Sequence, residues 1–269
     1  MPELAEVEYY RKQWECGMGE KIRDVAVHPN RIFRGSDLEL LKKTLTGASP
    51  RESETHGKQM VFRFSIDAWL GLHMGMTGEL RVEPPDYQPQ RHDHLVLQQA
   101  KRSLVFTDPR QFGRVRFHAG KKPPHWWADL PVSVLSQQFT LEHMRDFLDR
   151  HGKAPLKAVL LSQAGFPGVG NWMADEILWQ AKIHPSRKPN TLRAAELKKL
   201  HDSVRRVCRE AMRIVAHDWG DLPNNWLFNY RWKRGGACPR DKAPLQHATI
   251  GGRTTCWCPR CQKLRSGEA

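Results

Sequence analysis

Leu4, Val7, Tyr10 and Trp14 recur every three or four residues, the spacing of one apolar stripe on a helix, and predict a helix from Glu3 to Cys16. Its first turns carry Glu3, Glu6 and Glu8, carboxylates that complement the positive end of the helix dipole. From Lys21 to about His118 the pattern changes to short apolar or alternating runs. Met60-Val61-Phe62-Arg63-Phe64, Leu70-Gly71-Leu72-His73-Met74, His94-Leu95-Val96-Leu97 and Leu104-Val105-Phe106 are examples. Gly and Pro punctuate them, which predicts a β-sandwich or barrel behind one N-terminal helix.

Lys121-Lys122-Pro123-Pro124-His125-Trp126-Trp127 ends the β pattern and reads as a joint. Beyond Thr140 helical periodicity takes over: Met144, Phe147 and Leu148, then Leu156, Val159, Leu160 and Leu161, then Trp172 to Ala181, then a long helix from about Leu192 to Val215. From Arg231 on, the chain is basic and rich in Gly, Cys and Thr, which suits a small metal-held hairpin. The expected organisation is α+β, with domains over residues 1–125, 126–230 and 231–269.

With 43 Lys plus Arg against 29 Asp plus Glu, the formal charge is +14 and is spread along the whole chain. Such a balance favours a polyanionic partner, nucleic acid first. No run approaches the roughly 18 apolar residues of a membrane helix, and Met1-Pro2-Glu3-Leu4 lacks a signal-peptide layout. These features predict a soluble, intracellular, cytoplasmic protein with no membrane partner, associated with the nucleoid if its source is bacterial; a monomer is the default expectation.

Of six cysteines, Cys16 and Cys208 stand alone while Cys238, Cys256, Cys258 and Cys261 crowd the C-terminus, a metal pattern before a disulfide pattern. Cys258-Pro259-Arg260-Cys261 has the spacing of a zinc knuckle, and Cys238-Pro239-Arg240-Asp241 repeats it with a carboxylate in the last place. Zinc held by Cys238, Asp241, Cys258 and Cys261 is one set; His247 or Cys256 could replace Asp241 as the fourth ligand. Gly165-Phe166-Pro167-Gly168-Val169-Gly170-Asn171 reads as two tight turns between helices, with backbone amides free for a DNA phosphate and Lys157 adding charge one helix earlier. The wrong glycine spacing and the lack of a preceding strand exclude a nucleotide-binding fingerprint. At the other end, removal of Met1 leaves Pro2 with a free secondary amine, partly neutral near pH 7 and nucleophilic, beside Glu3 as proton donor and acceptor.

Pro2-Glu3-Leu4-Ala5-Glu6-Val7-Glu8 resembles the start of the formamidopyrimidine-DNA glycosylase and endonuclease VIII family, Ala5 being the one departure from its Pro-Glu-Leu-Pro-Glu-Val-Glu. His73-Met74-Gly75-Met76-Thr77-Gly78 is similar to its His-Leu-Gly-Met-Ser-Gly segment, and Asp108-Pro109-Arg110-Gln111-Phe112-Gly113 to its Asp-Pro-Arg-Arg-Phe-Gly loop. Leu156-Lys157, Gly168-Val169-Gly170-Asn171, Ala174-Asp175-Glu176 and Ile183-His184-Pro185 resemble its helix-two-turns-helix, and Arg253 lies where its zinc finger carries an Arg.

The resemblance implies a fold, an N-terminal helix and β-sandwich followed by a helix-two-turns-helix domain and a β-hairpin zinc finger. It also implies a reaction on damaged double-stranded DNA in base excision repair. Pro2 attacks C1′ of an extruded nucleotide, displaces the base and leaves a Schiff base, and β- and δ-elimination then cut the strand. Glu3, with Glu6 nearby, moves protons at the sugar; Lys58 contacts phosphate and transfers protons; Arg253 assists δ-elimination. Met76, Arg110 and Phe112 fill the void left by the extruded base. Lys157, Asn171 and Arg253 hold phosphates, and His73 and His92 are further DNA contacts.

The void-filling trio favours oxidised purines such as 8-oxoguanine and formamidopyrimidines. Ala216 to Ala237, shorter than the loop that caps 8-oxoguanine in typical formamidopyrimidine glycosylases, points instead to the endonuclease VIII branch and oxidised pyrimidines. The rivals from another class are a non-catalytic damaged-DNA-binding protein, which would not need Pro2, Glu3 and Lys58 together, and a generic zinc-finger binder, which leaves the first 120 or so residues without a purpose.

Overall fold

The computed structural model describes residues 1–233 and 235–264, and the chain divides into two compact units, Met1–Leu130 and Pro131–Ala269. Helix α1 (Leu4–Gln13) is shorter than its apolar stripe because a 3₁₀ turn, Glu15–Gly17, takes over at its C-terminus. The stripe is buried nonetheless. Trp14 is 1% exposed, lies 5.0 Å from the Phe62 ring and donates its indole N–H to the Arg81 carbonyl.

The first unit is a sandwich of two four-stranded antiparallel sheets. One runs β1 (Ile22–Val27), β6 (Asp93–Gln99), β7 (Ser103–Thr107), β5 (Glu79–Glu83); the other runs β2 (Pro50–His56), β3 (Gln59–Phe64), β4 (Ala68–His73), β8 (Arg114–Ala119). Alternate residues of both sheets meet in one core, Val25, Leu95, Leu97, Leu104 and Phe106 from the first and Met60, Phe62, Leu70, Leu72 and Val115 from the second.

Two helices interrupt the expected all-strand stretch and its joint. Helix α2 (Leu38–Leu45) is capped by the Asp37 carboxylate, which accepts from Leu40 N–H, and buries Leu41 and Leu45. Its cap and spacing are helix signals that the flanking β pattern obscures. The Pro- and Trp-rich joint contains α3 (His125–Ala128), which belongs to the first unit, so the expected break after residue 125 falls inside a packed segment. Trp126 lies on Gly71 of β4, where an added Cβ would sit 2.5 Å from the indole ring, and Trp127 donates to Glu54 at 2.9 Å.

The second unit holds α4 (Leu141–Arg150), α5 (Leu156–Leu160), α6 (Asn171–Ala181), α7 (Ala194–Asp218) and a hairpin of β9 (Gln246–Ile250) and β10 (Arg253–Trp257). Thr140 caps α4 by accepting from His143 N–H. Between α5 and α6 the chain makes the two predicted turns. Gly165 is pressed on the Phe147 ring, 2.2 Å from where its Cβ would be, and Gly168 has φ +90°. Helix α6 is buried almost all round and forms the centre of the unit. The hairpin turn, Gly251-Gly252, needs positive φ at both residues, +60° and +74°, as a two-residue turn of this kind does. Among the described residues no helix is long and apolar enough to cross a membrane.

Candidate active site and nucleic-acid interface

Pro2 precedes α1 and Glu3 is its N-cap, in extended conformation. The Glu6 carboxylate accepts from the Glu3 backbone N–H at 2.7 Å, one half of a capping box in which the Glu3 side chain takes the Glu6 N–H. Glu3 is 3% exposed and its carboxylate is fixed, whereas Met1 is open to solvent. Glu8, held well below the ordinary carboxylate range by Arg11 and Thr55 against the effect of burial, is committed to structure.

Lys58 stands in the two-residue turn joining β2 and β3, where Gly57 has φ +60°, and its side chain is buried. Close by, His73 accepts from Gly75 N–H through Nδ1 at 3.1 Å. Burial and then the charges of Lys58 and Arg116 push its pKa down, so the ring is neutral near pH 7.

Met76, Arg110 and Phe112 come from two loops, 74–78 and 108–113, that the structure locks together. Asp108, fully buried, accepts from Thr77 Oγ1 at 2.7 Å and from Gly113 N–H at 2.7 Å. Gly75, at φ +62°, lies so close to the Phe112 backbone that a Cβ would be 2.4 Å from its carbonyl carbon. Against this rigid base Met76 and Phe112 project into solvent, 38% and 50% exposed, where apolar side chains of their size are usually buried.

Three residues outside the sequence-predicted set build the support. Arg31 donates to the carbonyls of Gln111 (2.8 Å) and Arg110 (2.9 Å) and lies 5.2 Å from the Phe112 ring centre. Asn30 bonds His94 Nδ1 at 2.7 Å, and His94 Nε2 meets the Asp108 carbonyl at 2.9 Å. Only the pairing of β1 with β6 brings 30 and 94 together, and no local sequence signal carries it. His92 contributes through its backbone, its carbonyl accepting from Asp108 N–H and Thr107 Oγ1.

In the second unit, Lys157, expected to add charge for a backbone phosphate, points its side chain into the interior. Its ammonium is fully buried, donating to Asp175 at 2.5 Å and to the Asn171 carbonyl at 2.7 Å. The second oxygen of Asp175 takes two bonds from Arg231 (2.6 and 3.1 Å) and the N–H of Cys256 in β10 (3.1 Å). Asn171 Nδ2 donates to the Thr254 carbonyl at 3.0 Å, and Gly251 is packed on Ala158 of α5. The hairpin is thereby fixed to the two-turn segment, with the exposed Arg253 one residue before the Thr254 that Asn171 bonds. Asp175 and Arg231, missing from the sequence-predicted set, are the centre of this network.

Cys238, Asp241, Cys258 and Cys261 present ligand atoms that all lie within 4.8 Å of one another. Tetrahedral zinc with ordinary bond lengths needs sulfur pairs about 3.8 Å apart and sulfur–oxygen pairs about 3.5 Å apart. Cys238 and Cys261 sulfurs are 3.9 Å apart, Cys258 sulfur is 3.5 Å from the Asp241 carboxylate, and Cys261 sulfur is 3.2 Å from it. The donor set fits the ion. Trp179 Nε1–H points at Cys238 Sγ, 3.4 Å away, a contact suited to a thiolate. The two alternative fourth ligands lie elsewhere: His247 Nε2 bonds the Arg231 carbonyl, and burial with the nearby Asp175 pushes the Cys256 thiol up to about 12.

Two parts of one enzyme family account for this division of labour. The sequence model of the formamidopyrimidine-DNA glycosylase N-terminal domain matches residues 1–115, and that of the formamidopyrimidine-DNA glycosylase H2TH domain matches residues 130–219. The chain belongs to the formamidopyrimidine-DNA glycosylase family. It is 34% identical over 284 residues to the formamidopyrimidine-DNA glycosylase of Roseiflexus sp. strain RS-1, with 98% of this chain and 100% of that protein covered. Among solved structures it resembles the Lactococcus lactis enzyme complexed with DNA containing an oxidised pyrimidine (30% identity, TM-score 0.89, 98% and 100% of the two chains covered). It also resembles MutM complexed with DNA containing carbocyclic 8-oxo-G (29% identity, TM-score 0.88, 98% and 100% covered).

Proposed function

We propose that this protein is a bifunctional DNA glycosylase and AP lyase of base excision repair that works through the Pro2 amine. The observation that carries the reading is Pro2 immediately before a buried, hydrogen-bonded Glu3 at the start of α1. Once Met1 is removed, the secondary amine attacks C1′ of the extruded nucleotide as the C1′–N bond to the base breaks, and the sugar ring opens to an iminium. Glu3 relays the protons of ring opening, and Glu6 holds its backbone in place. Loss of a C2′ proton expels the 3′ phosphate by β-elimination, and a second loss expels the 5′ phosphate by δ-elimination. Lys58 serves phosphate contact and proton transfer, and Arg253 the second elimination.

Met76 and Phe112 enter the vacated stack while Arg110 bonds the orphaned base. Asn171 and Arg253 hold backbone phosphates; Lys157 acts from beneath as a positioning residue, and His73 and the His92 segment border the strand. The partner is damaged double-stranded DNA, met in the cytoplasm. The four-ligand cluster holds one structural zinc that keeps the hairpin folded and takes no part in the reaction.

Oxidised purines are the favoured lesions, because the two-loop platform carries the trio of the formamidopyrimidine branch. A specific feature supports oxidised pyrimidines as the second reading: α7 runs to Asp218 and a 3₁₀ turn begins at Leu227, leaving a short segment to cap a base. Borohydride trapping on duplexes with 8-oxoguanine, dihydrouracil or an abasic site tests both. An adduct on the terminal amine, lost when Met1 is retained and weakened in Pro2→Gly and Glu3→Gln, is the expected result, and the ranking of lesions chooses the branch. Tight binding with no adduct on any duplex would leave a damaged-DNA-binding protein.

A further inference from the structure

The sandwich face beside His73 carries a groove of about 320 Å³ lined by Gln59, His73, Phe112, Arg114, Arg116 and Trp126. Strand register explains it. Gln59, His73 and Arg114 are direct cross-strand neighbours on β3, β4 and β8, and two residues further along β8 Arg116 faces Gly71. Glycine leaves room there for Trp126, which lies on it and walls the groove, its indole 5.6 Å from the Arg116 guanidinium.

The groove is electrostatically one-sided. Arg114 and Arg116 lie on one face of one strand, and among the described residues neither forms a salt bridge. Burial and then Arg114 pull the Arg116 pKa down, and Lys58 with Arg116 does the same to His73. The carboxylate that acts on His73, Asp108, has its oxygens occupied by Thr77 and the amides of Arg110 and Gly113. Like charges held together without a counter-charge destabilise the fold unless an anion neutralises them.

The geometry points to a phosphate subsite: Arg114 and Arg116 grip one backbone phosphodiester of DNA, flanked by Gln59 and His73, with Trp126 against the adjoining sugar. The inference rests on the glycosylase reading and extends the DNA footprint of the first unit beyond the void-filling loops. It also gives a purpose to Trp126 of the joint, which walls the groove.

The test is the salt dependence of binding to a lesion duplex and to its undamaged counterpart, for the full-length wild type and for the double variant Arg114→Ala/Arg116→Ala. Loss of one phosphate contact makes the slope of log K against log salt shallower by about one unit, on both duplexes alike. At low salt the double variant should bind roughly tenfold more weakly, and Arg114→Lys/Arg116→Lys should keep the wild-type slope. A slope in the alanine variant equal to that of the wild type overturns the subsite. So does binding of deoxyadenosine monophosphate that depends on Arg116 while the DNA slope stays unchanged, since the groove would then serve a free nucleotide. Failure of the parent reading shows separately, as a wild-type protein that leaves no borohydride adduct.

Discussion

Burial pushes the Glu176 carboxyl of α6 from its ordinary 4.5 up to about 7, although it accepts from Gln180 and from Phe228 N–H. The unfolded chain releases this proton near pH 4.5 and the folded chain only near pH 7, so the folded state binds more protons between them. Stability therefore falls as pH rises through that window, by an amount on the order of 3 kcal/mol for an isolated group. Glu176→Gln, which mimics the protonated form, should flatten the decline in a pH series of thermal melts; a decline as steep as that of the wild type would assign it to another group.

Gly75 makes a second residue-scale prediction. At φ +62° and 2.4 Å from the Phe112 backbone, an added methyl has no flexible neighbour to displace. Gly75→Ala should cost about 1–3 kcal/mol and loosen the loops that carry Met76 and Phe112, read as a lower melting temperature together with a smaller trapped-adduct yield. Chemical identity at this scale was legible from local motifs: Pro2 beside Glu3, the glycine-bearing loop, the cysteine knuckle. Arg31, Asn30 and His94 were not, because each matters through a partner tens of residues away, such as the Arg31 contacts with the 110 and 111 carbonyls.

Among elements, the finger is the one for which the proposed zinc predicts a stability set by a ligand set rather than by size. A small hairpin whose cluster consists, among the described residues, of Trp179, Leu227, Ala243, Leu245, the partly buried Tyr230 and its cysteines has little apolar area to hold it, and the proposed ion would supply the rest. Purified protein should carry close to one equivalent of zinc by atomic emission. Asp241→Ala should lose it during mild chelator washing, while Asp241→Cys should retain it more firmly; equal retention in all three proteins would exclude Asp241 as a ligand. Periodicity located α1, α4, α6 and α7 within a few residues, since each has an apolar stripe with a cap or a glycine at its end. It missed α2 and α3, one short helix lying among strands and the other built of two tryptophans that pack on other elements, Trp126 on Gly71 of β4 and Trp127 against Glu54 and His56 of β2.

At the scale of the molecule, a formal charge of +14 with a polyanionic substrate predicts binding dominated by counterion release. For about six to ten phosphate contacts, affinity for a lesion duplex should fall by roughly three to five orders of magnitude between 50 and 200 mM salt. A shallow dependence would mean that the charge serves solubility instead. Charge, the Pro2-Glu3 pair at the start of the first helix, the cysteine spacing and the alternation that makes a sandwich are properties of composition and near neighbours, and the sequence by itself determined them. Tertiary structure decided which sidedness each residue has: Lys157 buried on Asp175, Asp241 rather than His247 or Cys256 gathered with the three cysteines, Phe112 left out in the water, and Arg114 and Arg116 on one face of β8 with Trp126 seated on the facing Gly71. The physical reason is that burial, like-charge proximity and metal geometry depend on distances between residues far apart in the chain, and those distances exist only once strands have paired and helices have packed.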